Sequence, residues 1–286
     1  MLIAIASGKG GTGKTTVATS LALAASGDGR AVRLLDCDVE EPNCHIFMRP
    51  QISVRETVGV PVPEVDAEKC TACGKCGDIC QYSAIVSLKT TPLVFPELCH
   101  GCGGCVAVCK PGAISEVPRE VGVVERGKAG EIDFGHGVLR VGEAMSPPLI
   151  QAVKRAVGSN DEDGHLTIVD APPGTSCPVI EAVKGADFVV LVTEPTPFGL
   201  NDLRLAVEMT RVLGLPLGVV VNRAGVGDDR VAEYCAAEGV SILAELPDDR
   251  RIAEAYSRGQ TVFEALEDYR AVFGELLATI VQRAGK

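Results

Sequence analysis

The chain has no tryptophan, and aromatic residues make up only 4% of its 286 positions. Apolar residues still reach 46%, so the core has to be built from Val, Ala, Leu and Ile with Gly between them. That mix suits parallel strands covered by helices. Basic residues are scarce as well, with 27 Lys and Arg against 38 Asp and Glu, a net charge of −11, and no basic stripe. Non-specific nucleic-acid affinity comes mainly from clustered Lys and Arg neutralising phosphates, so no nucleic-acid partner is expected. No apolar run approaches the roughly 18 to 20 residues that a membrane span needs. The stretch Phe263 to Lys286 is amphipathic without being strongly basic and reads as a packed helix, so no stable membrane anchor is expected. Between Met1 and Gly8 there is no charged n-region or cleavage site, and a cytoplasmic location is expected. His45, His136 and His165 show no metal-ligand spacing, His100 adjoins Cys99 where four cysteines already make a full set, and none of the four receives a role.

Cysteine is abundant. Of twelve, eight fall within residues 70–109 at tight, regular spacing. In a reducing compartment that density reads as metal ligation rather than a disulfide scaffold. The length exceeds the usual single domain, so one domain with a substantial insertion, or two domains, is expected.

Leu2 to Ala6 is an apolar run, followed by a Gly-rich turn and then helical periodicity from Thr15 to Ala25. A second strand at Ala31 to Leu35 ends in Asp36 and Asp38. The opening is therefore a βαβ unit, which favours a parallel sheet. Further strands are legible at Leu166 to Val169, Phe188 to Val192, Leu217 to Val221 and Ser241 to Leu243, with helical segments between them. The alternation breaks between about Glu64 and Pro118. Residues 1–63 and 119–286 are read as one α/β body, a mostly parallel sheet flanked by helices. Residues 64–118 are read as a small inserted α+β unit, hung from loops marked by Pro61, Pro63 and Pro118.

Gly8-Lys9-Gly10-Gly11-Thr12-Gly13-Lys14-Thr15 fits G-x-x-x-x-G-K-[ST] between a strand and a helix, the context a phosphate-binding loop requires. Consecutive glycines let backbone N–H groups close around phosphate oxygens, and the helix contributes its positive end. Lys14 is expected at the β- and γ-phosphates of ATP and the Thr15 hydroxyl on Mg²⁺. Lys9 to Thr16, Lys-Gly-Gly-Thr-Gly-Lys-Thr-Thr, resembles the deviant Walker A motif of the MinD, ParA, Mrp and nitrogenase iron-protein relatives. The likeness extends to Asp36-Cys37-Asp38, Asp170 to Gly174 and Val221-Asn222-Arg223. It implies that Lys9 crosses into the nucleotide of a second subunit, identical or paralogous, in an ATP-dependent dimer. It also implies that Asp38 orients the attacking water, that Asp36 and Asp170 sit around Mg²⁺, and that Asn222 contacts adenine. For each of these side chains the alternative is a group that merely caps a strand end.

Cys70, Cys73, Cys76 and Cys80 form one C-x2-C-x2-C-x3-C run, and Cys99, Cys102, Cys105 and Cys109 form a second. Each resembles the run with which bacterial two-cluster ferredoxins hold [4Fe–4S] centres, in which the fourth Cys reaches the other cluster. The resemblance implies one cluster on Cys70, Cys73, Cys76 and Cys109, and another on Cys99, Cys102, Cys105 and Cys80. Those ferredoxins have Pro after the fourth Cys, whereas Gln81 follows Cys80 and Lys110 precedes Pro111. A zinc site is the structural alternative, although zinc ribbons separate their C-x2-C pairs by longer stretches. Cys37, Cys44 and Cys235 are expected to pack as small apolar residues. Cys177 stands seven residues after Asp170, the offset of a ligand to the bridging cluster of the nitrogenase iron protein, but no Cys lies between Cys109 and Cys177 to complete such a site.

The whole resembles MinD-superfamily ATPases with an inserted ferredoxin domain. The implied function is ATP hydrolysis in a dimer that gates electron transfer through two clusters to a redox or iron–sulfur acceptor protein. The alternatives are an Mrp-like cluster carrier and a redox-sensing, MinD- or ParA-like positioning ATPase. Fold likeness does not choose among them.

Overall fold

The computed structural model describes residues 1–156 and 164–285. Lys286, the end of the expected C-terminal helix, lies outside them.

Seven parallel strands form the body of a nine-stranded sheet: β1 (Leu2–Ala6), β2 (Val32–Asp36), β7 (Ile132–Leu139), β8 (Leu166–Asp170), β9 (Phe188–Thr193), β10 (Leu217–Ala224) and β11 (Ile242–Pro247). In space the order is β11-β10-β9-β1-β8-β2-β7, and an antiparallel pair, β6 (Ile114–Ala129) then β3 (Gln51–Val65), completes the β7 edge. The alternation of β1 shows how the chain fills both faces. Ile3 and Ile5 join one core, Ala4 and Ala6 the other, and all are essentially without solvent exposure.

Helix α1 (Lys14–Gly27) buries Val17, Ala18, Leu21, Ala22 and Ala25 between the sheet and α11 (Asp268–Ala284). Its small residues let it fit between two packed surfaces. Tyr269, Phe273, Leu276, Leu277 and Ile280 recur at helical spacing on α11 and pack into that same core. Helices α5 (Pro147–Ala156), α6 (Cys177–Val183), α7 (Pro197–Val212) and α8 (Arg230–Ala237) cover the opposite face. Among the described residues no helix is long and apolar enough to cross a membrane.

Strands β3, β6 and β7 are not visible in the sequence pattern. β7 ends level with Gly122, where Gly122 pairs with Leu139, and from there the β3/β6 pair continues alone as a two-stranded ribbon to the pair Val65 and Ile114. The cysteine-rich residues hang from the end of this ribbon. They contain α3 (Lys75–Ile79), a two-residue hairpin pair β4 (Ile85–Val86) and β5 (Leu93–Val94), and α4 (Gly104–Val108). The prolines expected to mark loops lie inside the ribbon instead, Pro61 directly opposite Pro118. A strand can carry proline where its missing N–H faces no neighbour, as on an edge strand.

Candidate functional site

The turn from β1 to α1 is shaped by two glycines with positive φ, Gly11 at 77° and Gly13 at 96°. A Cβ on Gly13 would also come within 2.4 Å of the Asn222 amide nitrogen, so this position is closed to any side chain. Gly8 packs equally tightly on α7, where a Cβ would sit 2.2 Å from the Asp202 carbonyl oxygen. No side chain caps the start of α1, and no acid lies in its first turn. Lys14, only 7% exposed, occupies the first helical position. A buried cation at the positive end of a helix is unfavourable by itself, and an anion bound there reverses the balance.

Two carboxylates face this helix start. Asp36 and Asp170 end neighbouring strands in register, and both are fully buried. The Thr15 hydroxyl donates to Asp170 Oδ2 at 2.6 Å, and the Cys44 thiol, at the start of α2 (Cys44–Met48), donates to the same oxygen at 3.3 Å. Asp170 Oδ1 is buried with no partner. Asp36 accepts the backbone N–H groups of Asn43 and Cys44 at 2.9 Å each and that of Asp38 at 3.1 Å. Burial and then the charge of Asp170 push Asp36 up to about 8, and burial raises Asp170 too. Asp38 is raised to about 6 by burial, with Lys14 opposing. Asp36, Cys44 and Asp170 offer ligand atoms within 4.8 Å of one another. Paired buried acids with an orphaned oxygen, beside Thr15 and Lys14, suit a divalent cation held together with phosphate.

The structure thus gathers Lys14, Thr15, Asp36, Asp38 and Asp170 around one point, with Thr12 and Thr16 flanking them. Asn222 donates from Nδ2 to the Thr12 carbonyl at 2.8 Å and so braces the loop. Lys9 Nζ donates at 2.9 Å to Glu194 Oε2 of the same chain, and Arg223 pairs with the other oxygen of Glu194 at 3.2 Å. Neither Glu194 nor Cys44 was assigned to this site from the sequence, because their contacts with Lys9 and Asp170 join residues 185 and 126 positions apart. An open groove of about 810 Å³ lies elsewhere, between α7 and α8, where Arg211 and Arg230 are already paired with Glu238 and Asp228.

The cysteine runs fold as two matching halves. Ala72 and Gly101, then Gly74 and Gly103, hold equivalent positive-φ positions, and each run continues into a five-residue helix. The Ala84 N–H donates to Cys80 Sγ at 3.3 Å, and the Ala113 N–H to Cys109 Sγ at the same distance. Cys70, Cys73, Cys76 and Cys109 line one cavity with Val108, Pro111 and Ile114. Cys80 and Cys99 share an apolar cluster with Val62 and Ala84, and Cys105 packs with Cys109 near Ile85 and Ile114. The Cys99 to Cys102 turn rests on the ribbon, since a Cβ on Gly101 would meet Val60 at 2.8 Å. Burial raises Cys80, yet backbone N–H groups of Ile85, Tyr82, Ala84 and Ser83 outweigh it and hold the thiol below its ordinary range, a bias towards thiolate. Among the described residues, no three of these sulfurs lie within 4.8 Å of one another. Thiols in two groups of four supply the all-sulfur donor set that an iron–sulfur centre takes, a set that zinc takes as well.

His100 stacks on Tyr82 at 3.6 Å rather than joining the sulfurs, and Cys177 stands exposed at the start of α6. Cys37, Cys44 and Cys235 are buried.

A phosphate-type loop between strand and helix on a mostly parallel sheet defines the class, an α/β P-loop nucleotide-binding protein. The chain belongs to the CobQ/CobB/MinD/ParA nucleotide binding domain family, whose description it matches over residues 3–262. It is 38% identical over 229 residues, 80% of either chain, to an uncharacterised protein of Methanocaldococcus jannaschii. It is also similar to the iron–sulfur cluster carrier protein of Aquifex aeolicus, 27% identical over 279 residues covering 91% of this chain and 61% of that one. In fold it resembles the septum site-determining protein MinD of Pyrococcus horikoshii, solved with Mg-ADP, at a TM-score of 0.58 and 20% identity, over 99% of this chain and 97% of that one.

Proposed function

We propose that the protein is an ATPase that holds two [4Fe–4S] clusters and uses its nucleotide cycle, in a dimer, to control electron transfer through them to an acceptor protein. One observation carries the reading. Two cysteine runs with matched geometry sit at the end of a ribbon continuous with the sheet that carries the buried acids.

Residues 64–118 are the cluster-bearing unit in this reading, and residues 1–63 and 119–286 the ATPase. Cys70, Cys73, Cys76 and Cys109 would hold one cluster, Cys80, Cys99, Cys102 and Cys105 the other. The clusters would supply one-electron chemistry, while the protein's N–H groups to sulfur and its apolar packing set how firmly they are held. At the nucleotide, Gly8 to Thr16 enclose the phosphates. Lys14 neutralises charge on them, and Thr15, Asp36 and Asp170 would hold Mg²⁺, which offsets phosphate charge. Asp38 orients the attacking water, and Asn222 holds the loop in shape beside the base. Phosphoryl transfer needs mainly this positioning and neutralisation. Lys9 would complete the partner subunit's site.

A second reading, delivery of clusters to apoproteins, draws support from the relatives named iron–sulfur cluster carrier proteins, matched over about nine-tenths of this chain. The two differ in how firmly the clusters are held. An anaerobic EPR redox titration with and without Mg-ATP, followed by incubation with an apo-acceptor, separates them. Two reducible signals that shift with nucleotide and stay on the protein support electron transfer. Signals indifferent to nucleotide, with ready loss of iron to the acceptor, overturn it in favour of delivery.

A further inference from the structure

The loop carrying Asp38 is tied to the ribbon that carries the cysteines by a short chain of contacts. The Val39 carbonyl accepts the Leu139 N–H at 2.9 Å, at the end of β7. Glu40 accepts the hydroxyl of Ser146 at 3.2 Å, and Ser146, 1% exposed, opens α5. Between those points the chain turns on Glu143, whose side chain is 2% exposed. It accepts the Met145 N–H at 3.0 Å and forms an ion pair with Arg119, whose second nitrogen lies 3.4 Å from the other carboxylate oxygen. Arg119 stands on β6 just beyond the last pair that β6 makes with β7, at the root of the free ribbon, five residues from Ile114 where the cysteine-rich segment ends.

An ion pair withdrawn from solvent loses part of its attraction to desolvation, and its best-attested use is to fix one arrangement among several. Here a fork-like guanidinium contact sets the position of the ribbon's root against the turn before α5. Apolar residues of the same size would hold the two together but would not fix their relative position. The turn is in turn held by the loop that bears Asp38.

We infer that the Arg119–Glu143 pair, with Ser146 and Glu40, is a strap that passes movement of the Asp38 loop to the cysteine-bearing ribbon. The inference rests on the proposed nucleotide site and concerns how that site reaches the cysteines. In this inference nucleotide binding shifts the loop, and the strap converts that shift into a change of angle at the ribbon's root. Arg119, Glu143 and Ser146 are positioning residues and touch no nucleotide.

Hydrogen exchange on the full-length protein, with and without Mg and a non-hydrolysable ATP analogue, tests this. In the wild type, protection should appear at Gly8 to Thr16 and also at the ribbon root, Val117 to Val121. In Glu143→Gln, which keeps the shape but not the charge and so loosens the strap from the ribbon, and in Ser146→Ala, which cuts the strap away from the Asp38 loop, the loop protection should persist and the ribbon change should be lost. Arg119→Lys, which restores the charge without the fork, should recover the ribbon change only in part. Loop protection without any ribbon change in the wild type, or a ribbon change that survives in Ser146→Ala, overturns the strap and leaves the nucleotide site standing. Absence of loop protection altogether overturns the nucleotide site and the strap with it.

Discussion

Lys9 and Glu194 are joined by a 2.9 Å ion pair within a single chain, linking the loop after β1 to the residue that follows β9. The resemblance to deviant Walker A proteins assigns Lys9 to the opposite subunit's nucleotide, so the pair holds that lysine in a position it must leave. Lys9 is 31% and Glu194 10% exposed, and a partly solvated pair of this kind is worth about 0.5 to 1 kcal/mol. A symmetric dimer breaks two of them. Glu194→Gln should therefore tighten ATP-dependent dimerisation by about 5- to 30-fold, and Lys9→Ala should prevent it. Sedimentation velocity across a protein dilution series, with Mg-ATP, reads both. Equal dimer affinity in Glu194→Gln and wild type would remove any restraining role for Glu194.

Lys14→Ala should reduce hydrolysis by about 100-fold or more, the scale on which loss of one preorganised charge at a transition state is felt. Iron content should be unchanged, because the cysteine-rich segment touches the body through the ribbon and not through the phosphate loop. Malachite-green phosphate release and iron assay on one preparation give both numbers. Loss of iron in this variant would contradict the separation of the two sites.

The sites were legible where their residues are close in sequence. The phosphate loop is eight consecutive positions, and each cysteine run spans eleven, so spacing alone is enough to propose their chemistry. The apolar parallel strands were legible because both of their faces are buried and they read as continuous Val, Leu and Ile. β3 and β6 were hidden because the pair is solvated along much of its length, with Arg55, Glu56 and Glu120 exposed and prolines on both strands. A half-exposed ribbon carries no strong periodic signal, and proline is read as a loop. β7 was hidden by Gly135 and Gly137, which break its apolar run. Gly137 is needed there, because a Cβ would meet Val39 and Val153 below 3 Å. The contacts of Glu194, Cys44 and Glu143 depend on sheet order, which no local pattern encodes.

Cys76→Ser should lower bound iron from about eight to about four per chain and leave nucleotide binding intact. Cys76 is the most buried of the four cysteines around its cavity and lies beside Ile85 and Ile114. Cys235→Ser, on the buried face of α8 and away from the cysteine-rich segment, should leave iron unchanged. Chemical iron determination after anaerobic reconstitution checks both, and an unchanged ratio in Cys76→Ser would overturn the ligand assignment.

Asp36 and Asp170 make the metal-free protein sensitive to pH in a definite direction. Both are buried side by side; burial and then the charge of Asp170 raise Asp36 from 3.8 to about 8, and burial raises Asp170 as well. A carboxyl whose folded value is raised favours the folded state fully below its unfolded value, and that contribution is lost as pH rises through the folded value. The melting temperature of the nucleotide- and metal-free protein should therefore fall between about pH 4 and about pH 8 on account of this pair. Asp170→Asn keeps an oxygen for the Thr15 hydroxyl and the Cys44 thiol, while its amide can donate to Asp36 in place of the repulsion. Asp36 should then titrate nearer its ordinary range, so the variant should melt higher than wild type near pH 8 and show a shallower slope. Its affinity for Mg-ATP should fall, since one of two acids facing the cation has lost its charge. Differential scanning fluorimetry from about pH 5 to about pH 8, without metal, reads the slope. A slope identical to wild type would mean that the two carboxyls do not repel across the strand pair, and the case for a cation between them would lose its electrostatic basis.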